Sequence, residues 1–425
     1  MHVSLLTNAA AALSLISVAK ASQQPLNLDF RDDFCSVTEK DSLLSLSHFR
    51  EHHELESCNP HSYIKSTPAN IWTEEVKCIP NTNTTEDYCV YTDDQFANGR
   101  GISFFTTPSI AKRVASLPAF TQKGLYDNVN NFTNPPWEIK QIPGRGKGLF
   151  ATRTLHRGDP IVADTPVGVY LSDAFPHDFP LGYIYLHTAF IQLPKPTQNL
   201  FLETATYADG DPIMERINTN AFSGEFEGAS HFLMYPETAR MNHDCRPNAM
   251  YYYDPKTLIH ATQASRTILA GEEITIPYIN ILQPREDRQF ALSNYWGFKC
   301  TCSLCSSSAT HTHASDARIR RITLLQNALA DWSSASVGSP STAEKLIQLY
   351  NEEGIHAAKG TGHMFAALAY NAVGDTGKAR EHAEKALEAG LVNNGHGSGE
   401  EGDESEMRGL LGWPEGHWSF MARRR

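Results

Sequence analysis

Cys300, Cys302 and Cys305 form a C-x-C-x-x-C run. That spacing is too tight for three independent disulfide partners and suits three thiolate ligands of one zinc ion. Tetrahedral zinc needs a fourth soft donor from elsewhere. Cys245, inside Asn242-His243-Asp244-Cys245-Arg246-Pro247-Asn248, is the leading candidate. Upstream, Gly144-Arg145-Gly146-Lys147-Gly148-Leu149 is a glycine-rich turn whose backbone can approach a ligand closely. It lacks the Gly-Lys-Ser/Thr ending of a nucleotide P-loop, which disfavours ATP.

These residues need elements to hold them. Trp137 to Ile142 reads as a short strand and Pro143 to Gly148 as a tight turn. Extended structure resumes over 149–155 and again over 159–164. From Phe179 to Phe222 the pattern is helical, interrupted by Pro194 and Pro196. Residues 248–264 read as a hairpin around Asp254-Pro255-Lys256. Pro284 to Trp296 reads as an amphipathic helix that delivers the chain to the cysteine run. Beyond Cys305 only helices are expected. There Ala367, Tyr370, Gly374, Ala379 and Ala386 match one tetratricopeptide-like helix pair. The Gly/Ser/Glu-rich composition after residue 394 predicts a flexible tail over 395–425.

The chain has 425 residues, 41% hydrophobic and 20% charged, enough for two or three domains with real cores. Its net charge of −12 argues against direct nucleic-acid binding, which calls for a basic face. No apolar run outside the extreme N-terminus is long enough for a membrane span. Cys35, Cys58, Cys78 and Cys89 are widely spaced, a disulfide pattern, in a loop-rich region over 22–136 closed by Asn134-Pro135-Pro136. Leu5 to Ala19 is mostly apolar and Ala19-Lys20-Ala21 fits the small-x-small cleavage rule. The sequons Asn83-Thr84-Thr85 and Asn131-Phe132-Thr133 follow. Residues 1–21 are therefore expected to be a signal peptide, with the secretory pathway or extracellular space as destination and the nucleus or cytoplasm as the alternative.

The ordered set formed by the glycine turn, Asn242 to Asn248, Gly271-Glu272-Glu273-Ile274-Thr275-Ile276-Pro277-Tyr278 and the cysteine run resembles the SET domain. That family transfers a methyl group from S-adenosylmethionine to protein lysines. The resemblance covers about 137–305. It implies an α+β fold of small curved β-sheets with a pseudoknot over 137–280, a post-SET zinc segment over 281–306, and an all-helical, tetratricopeptide-like unit over 307–394.

By the same resemblance, Tyr278 is the catalytic residue and lines the substrate channel with Tyr295. Lys147, Gly148, Leu149, Asn220, Asn242, His243 and Phe298 are expected to meet the cofactor, the polar groups of His243 and Asn242 finding partners in its adenine edge and nearby backbone. An equal reading of Asn220 is a helix-end residue capping its own backbone. Cys245 would complete the zinc site. The implied partners are S-adenosylmethionine, Zn2+, a protein presenting a lysine, and a possible protein ligand on the helical unit. The family commonly has Ser at the place of Asp244 and Asp at that of Pro277. These departures motivate an alternative, a catalytically inactive SET scaffold that acts as a protein-binding module.

Overall fold

The computed structural model describes residues 71–79, 86–174, 181–226, 228–394 and 403–423. The expected signal peptide, Cys35, Cys58 and the Asn83 sequon lie outside them.

Among the described residues, three sheets are built from strands between Lys77 and Ile276. The largest has the order β1 (Lys77–Ile79), β2 (Tyr88–Asp93), β3 (Ile102–Thr106), β7 (Gly168–Leu171), β9 (Ala229–Met234), β8 (Phe222–Phe226). All neighbours are antiparallel except β3 and β7. Successive side chains of β3 leave opposite faces and all are buried. Phe104 meets Trp72 and Phe120 on one side, while Phe105 meets Tyr88 and Tyr185 on the other.

This sheet corrects the expected boundary at 136. Residues 71–106 are not a separate loop-rich unit, because β1 to β3 extend the sheet that contains β7. Short strands separated by Asn, Thr and Pro gave no legible period. Cys78 and Cys89 sit opposite each other on β1 and β2 and form a disulfide.

The second sheet runs β10 (Asn242–His243), β13 (Glu273–Ile276), β5 (Gly146–Ala151), β4 (Trp137–Ile142), with β10 parallel to β13. The third joins β11 (Ala249–Tyr253), β12 (His260–Ala264) and β6 (Pro160–Asp164). Trp137, Leu149, Ile161, Met241, Ile274 and Ile276 form the core between these two. Helices α1 (Leu181–Ile191), α2 (Lys195–Leu202) and α3 (Pro212–Asn220) lie between β7 and β8 in sequence. Pro194 precedes α2, while Asp211 caps α3 by accepting from the Ile213 and Met214 amides.

Helix α4 (Arg285–Trp296) follows Pro284 and stops at Gly297, whose φ of +68° suits glycine. The helices α5 (Ala309–Ala330), α6 (Pro340–Glu352), α7 (Lys359–Asn371) and α8 (Thr376–Asn394) then build a separate core. Buried Ala366, Ala367, Ala369, Ala379 and Ala383 let α7 and α8 approach, and Gly374 at φ +87° turns the chain between them.

The expected flexible tail is corrected over 403–423. Helix α9 (Asp403–Gly412) starts with acidic residues in its first turn, which favour the helix dipole, and buries Met407 and Leu410. Beyond it, Asn371 donates to the Pro414 carbonyl at 3.0 Å and to Ser419 Oγ at 2.8 Å. Arg423 stacks 3.8 Å over the Trp332 ring. Sparse but well-spaced apolar residues anchor a segment whose average composition is polar. No helix among the described residues is long and apolar enough to cross a membrane.

Candidate active site and metal centre

The glycine turn closes the β4–β5 hairpin, with Gly144 and Gly146 both at φ +73°. Gly148 has a different constraint. A Cβ there would lie 2.8 Å from Asn242 Nδ2 and 2.8 Å from Ile142 Cδ1, so a larger residue would have to displace these side-chain ends. Asn242 Nδ2 donates to the Lys147 carbonyl at 3.1 Å and to Glu273 Oε1 at 2.9 Å. Arg145 clamps the same Glu273 through two nitrogens, at 3.0 and 3.2 Å. Three sequence-distant motifs thus meet around one carboxylate.

Asn248 works as a second clasp. It is buried, donates to the Glu273 carbonyl at 2.8 Å and accepts from the Thr275 amide at 2.8 Å. These bonds hold the segment after β10 against β13.

Strand alternation places Asn242 and His243 on opposite sides of β10. His243 therefore leaves the glycine turn and faces the cysteines. Its Nδ1 accepts from the Tyr278 amide at 3.0 Å, and its Nε2 lies 3.5 Å from Cys245 Sγ. An Nδ1 that accepts leaves the ring proton on Nε2, directed at the sulfur. Burial pushes the imidazole down to about 3, so the ring is neutral. Both ring nitrogens thus have partners within the protein.

Tyr278 lies just past β13. Its hydroxyl donates to the Met241 carbonyl at 2.7 Å, and its ring packs on His243 and Trp296 at centroid distances of 5.5 and 5.6 Å. Burial holds its phenol well above the usual tyrosine pKa. The aromatic neighbour of Tyr278 is Trp296, four residues after buried Leu292 on the same face of α4. Tyr295 stands one ring further out, edge-on to Trp296 at 6.2 Å, and Phe298 is 36% exposed beyond the helix. Phe222 completes the aromatic surround, packing on Tyr251 at 5.1 Å within the same core as Tyr278.

Asn220 ends α3. Its Nδ2 donates to the Ala205 and Arg216 carbonyls at 2.7 and 2.8 Å, the self-capping role. The loop it tethers brings Tyr207 against Gly297, where a Cβ would lie 2.3 Å from the Tyr207 ring.

The four cysteines converge. The sulfurs of Cys245, Cys300, Cys302 and Cys305 all lie within 4.8 Å of one another, and those of Cys245 and Cys305 are 3.6 Å apart. Tetrahedral zinc with Zn–S bonds of about 2.3 Å separates its sulfurs by roughly 3.8 Å, so this donor set fits the ion. The Cys305 amide points at Cys302 Sγ (3.4 Å), and Gln289 pairs with both the amide and the carbonyl of Cys300. Asp244 Oδ1 accepts from the Arg246 amide at 2.7 Å, which turns its carboxylate into a local brace.

Arg246 continues outward. Its guanidinium bonds the Cys245 carbonyl at 2.6 Å and the carboxylate of Glu353, at the end of α6, which also receives Arg318 and Ser315. The Cys245 segment is in this way tied to the C-terminal helices. Motif reading singled out neither Trp296, Gln289, Arg288 nor this network, whose members are scattered along the sequence. The apolar spacing of α4 was the only available signal, and it does mark Trp296 and Arg288 as inward-facing.

Residues 146–279 match the SET domain family. Among curated proteins, histone-lysine N-methyltransferase set5 of Schizosaccharomyces pombe is 31% identical over 180 residues, 42% of this chain and 53% of that protein. N-lysine methyltransferase SMYD2 of Homo sapiens is 34% identical over 106 residues, 24% of each chain. SMYD2-B of Xenopus laevis is 37% identical over 97 residues, 22% of each. The chain thus spans about half the length of the first of these relatives and about a quarter or less of the other two.

Proposed function

We propose that this SET-domain chain is an S-adenosylmethionine-dependent protein-lysine N-methyltransferase. One observation carries the reading. Within the family-matched segment, β10 bonds the glycine turn through Asn242 and the Lys147 carbonyl on one side, and Tyr278 through His243, beside a four-cysteine cluster, on the other.

The tight space at Gly148 fits a backbone that must approach a ligand. Lys147, Gly148 and Leu149 would offer main-chain groups to the cofactor, Asn220 its Oδ1, and Asn242 and Phe298 flanking contacts. When bound, the cofactor supplies a methyl group on a sulfonium, open to in-line attack. Tyr278, buried and protonated, is an orienting donor rather than a base, and alignment of a neutral lysine amine is most of the chemical work. The amine's proton leaves to water. Trp296, Tyr295 and Phe222 would wall the lysine side chain from solvent. Cys245, Cys300, Cys302 and Cys305 would hold zinc, which pins the segment after α4 in place.

The tetratricopeptide-like character of α7 and α8 makes the helical unit the site for a protein partner. The Cys78–Cys89 disulfide favours passage through an oxidising compartment, in agreement with the expected leader. A mature N-terminus at Ser22 tests this.

Incubation of the purified chain with methyl-labelled cofactor and lysine-bearing proteins tests the activity. Label on lysine, lost in Tyr278→Phe, supports it. A folded protein that binds cofactor but transfers nothing, yet forms complexes through 306–392, selects the inactive-scaffold reading instead. That reading is favoured by the tie from Arg246 to Glu353, which makes the SET segment and the helices one support.

A further inference from the structure

Asn131 sits in the loop that leads into β4, within Asn131-Phe132-Thr133, and nothing in the proposed methyl transfer uses it. The residues on either side of it are tied inward. Asn130, at φ +59°, donates its backbone amide to the Ala163 carbonyl at 2.9 Å. Its side chain meets both the amide and the hydroxyl of Thr165, at 2.9 and 3.0 Å. Phe132 packs on Trp137 with a centroid distance of 6.0 Å. Between these two anchors Asn131 is exposed, and so is Thr133. Asn131 Oδ1 accepts from the Thr133 amide at 3.2 Å and from its hydroxyl at 2.9 Å, while Nδ2 has no hydrogen-bond partner among the described residues. The loop thus leaves a carboxamide nitrogen free at the surface, with the hydroxyl residue held beside the same amide group. An open depression of about 490 Å³, lined in part by Asn98, Tyr126, Asn130 and Leu200, adjoins Asn131 and leaves room for a bulky group.

An Asn-x-Thr acceptor takes sugar only when its chain enters the secretory pathway, and the bulky, solubilising product belongs on the surface. That pathway is also oxidising, and Cys78 and Cys89 are joined in a disulfide across β1 and β2. We infer that Asn131 is an N-glycosylation site, which receives an oligosaccharide from a lipid-linked sugar diphosphate. Nδ2 forms a bond to the anomeric carbon of the first sugar and the bond from that carbon to the diphosphate oxygen breaks. The lipid diphosphate leaves with the bonding electrons, and the amide gives up one proton. The inference rests on the secretory reading, not on methyl transfer, and adds a covalent modification to it. The sequon at Asn83 lies outside the described residues, so the structure argues for Asn131 alone.

The test uses the full chain, produced in a eukaryotic secreting cell and recovered from the medium and the secretory organelles. Release of N-glycans by a peptide-N-glycosidase in heavy-oxygen water, followed by peptide mass spectrometry, marks each glycosylated Asn as a labelled Asp. The label should appear at position 131. Asn131→Gln and Thr133→Ala should each abolish the glycan there, whereas Thr133→Ser, which keeps the hydroxyl, should retain it. The mark is read on the wild type, so the result does not depend on how any variant folds.

A chain that enters the pathway and forms the Cys78–Cys89 bond, yet carries no label at Asn131, overturns the inference and leaves the secretory reading intact. Label at Asn83 alone counts the same way. A chain that stays in the cytosol with Cys78 and Cys89 as free thiols overturns both. Cofactor binding is measured separately, so none of these outcomes touches the methyltransferase reading.

Discussion

The amide of Tyr278 donates to Nδ1 of His243 at 3.0 Å, while the other nitrogen of that ring lies 3.5 Å from Cys245 Sγ. The proposed catalytic tyrosine is therefore one imidazole away from the cysteine cluster. Pro277, which cannot donate, leaves the Tyr278 amide as the group that meets the ring.

Removal of the phenol should separate chemistry from folding. Tyr278→Phe loses one hydrogen bond, to the Met241 carbonyl, worth about 1 kcal/mol of stability. Methyl transfer should fall far more, on the order of 100-fold or greater, because the orienting group is gone. Initial rates with labelled cofactor, paired with thermal melts, check both numbers.

Loss of the proposed zinc should act on Tyr278 through His243. Cys245→Ala, or incubation with a strong zinc chelator, should release the segment after α4 and abolish transfer while the C-terminal helices stay folded. Proteolysis near 297–306 should accelerate in the treated protein, which limited digestion followed by mass spectrometry would read.

Gly148→Ala places a methyl group into contact with Asn242 and Ile142. Overpacking of this kind costs about 1–3 kcal/mol, and here it would also narrow the approach to the backbone of Lys147. We expect weaker cofactor binding by calorimetry and a lower melting temperature, whereas Gly144→Ala, at an open turn position, should be limited to backbone strain.

Glu353 gathers Arg246, Arg318 and Ser315 on one buried carboxylate. Burial alone would raise its pKa, but the bonds from Arg246 and Ser315 outweigh it and hold the carboxyl below the usual glutamate value. A depressed folded pKa gives stability that is complete above the ordinary glutamate value of 4.5 and disappears as pH falls through the lower folded value. Melting temperature should thus drop on acidification more steeply for wild type than for Glu353→Gln. At neutral pH, Glu353→Ala should cost about 3–5 kcal/mol, because two arginines are left without their anion.

Much of the site was legible because its chemistry is local in sequence. Three cysteines within six residues announce a cluster by spacing alone, whereas the glycine turn and Tyr278 drew their expected roles from the resemblance to the SET domain. The strands β4 to β6, the β11–β12 hairpin and the helix after Pro284 followed from period and turn residues. What escaped was non-local. The pairing of β3 with β7 joins residues more than sixty apart, and no pattern in 71–106 names its partner. His243 turned toward the cysteines because β10 alternates, a fact that depends on which neighbour of the strand is which. The ordered tail was hidden by its average composition, since Met407, Leu410 and Trp418 act as a few anchors within a polar stretch.

Titration of the folded, zinc-loaded chain with S-adenosylmethionine in a calorimeter tests the central claim most directly. Saturable binding at one site per chain, weakened in Gly148→Ala, is the predicted result. A folded, zinc-loaded protein that gives no heat of binding at any cofactor concentration would contradict it.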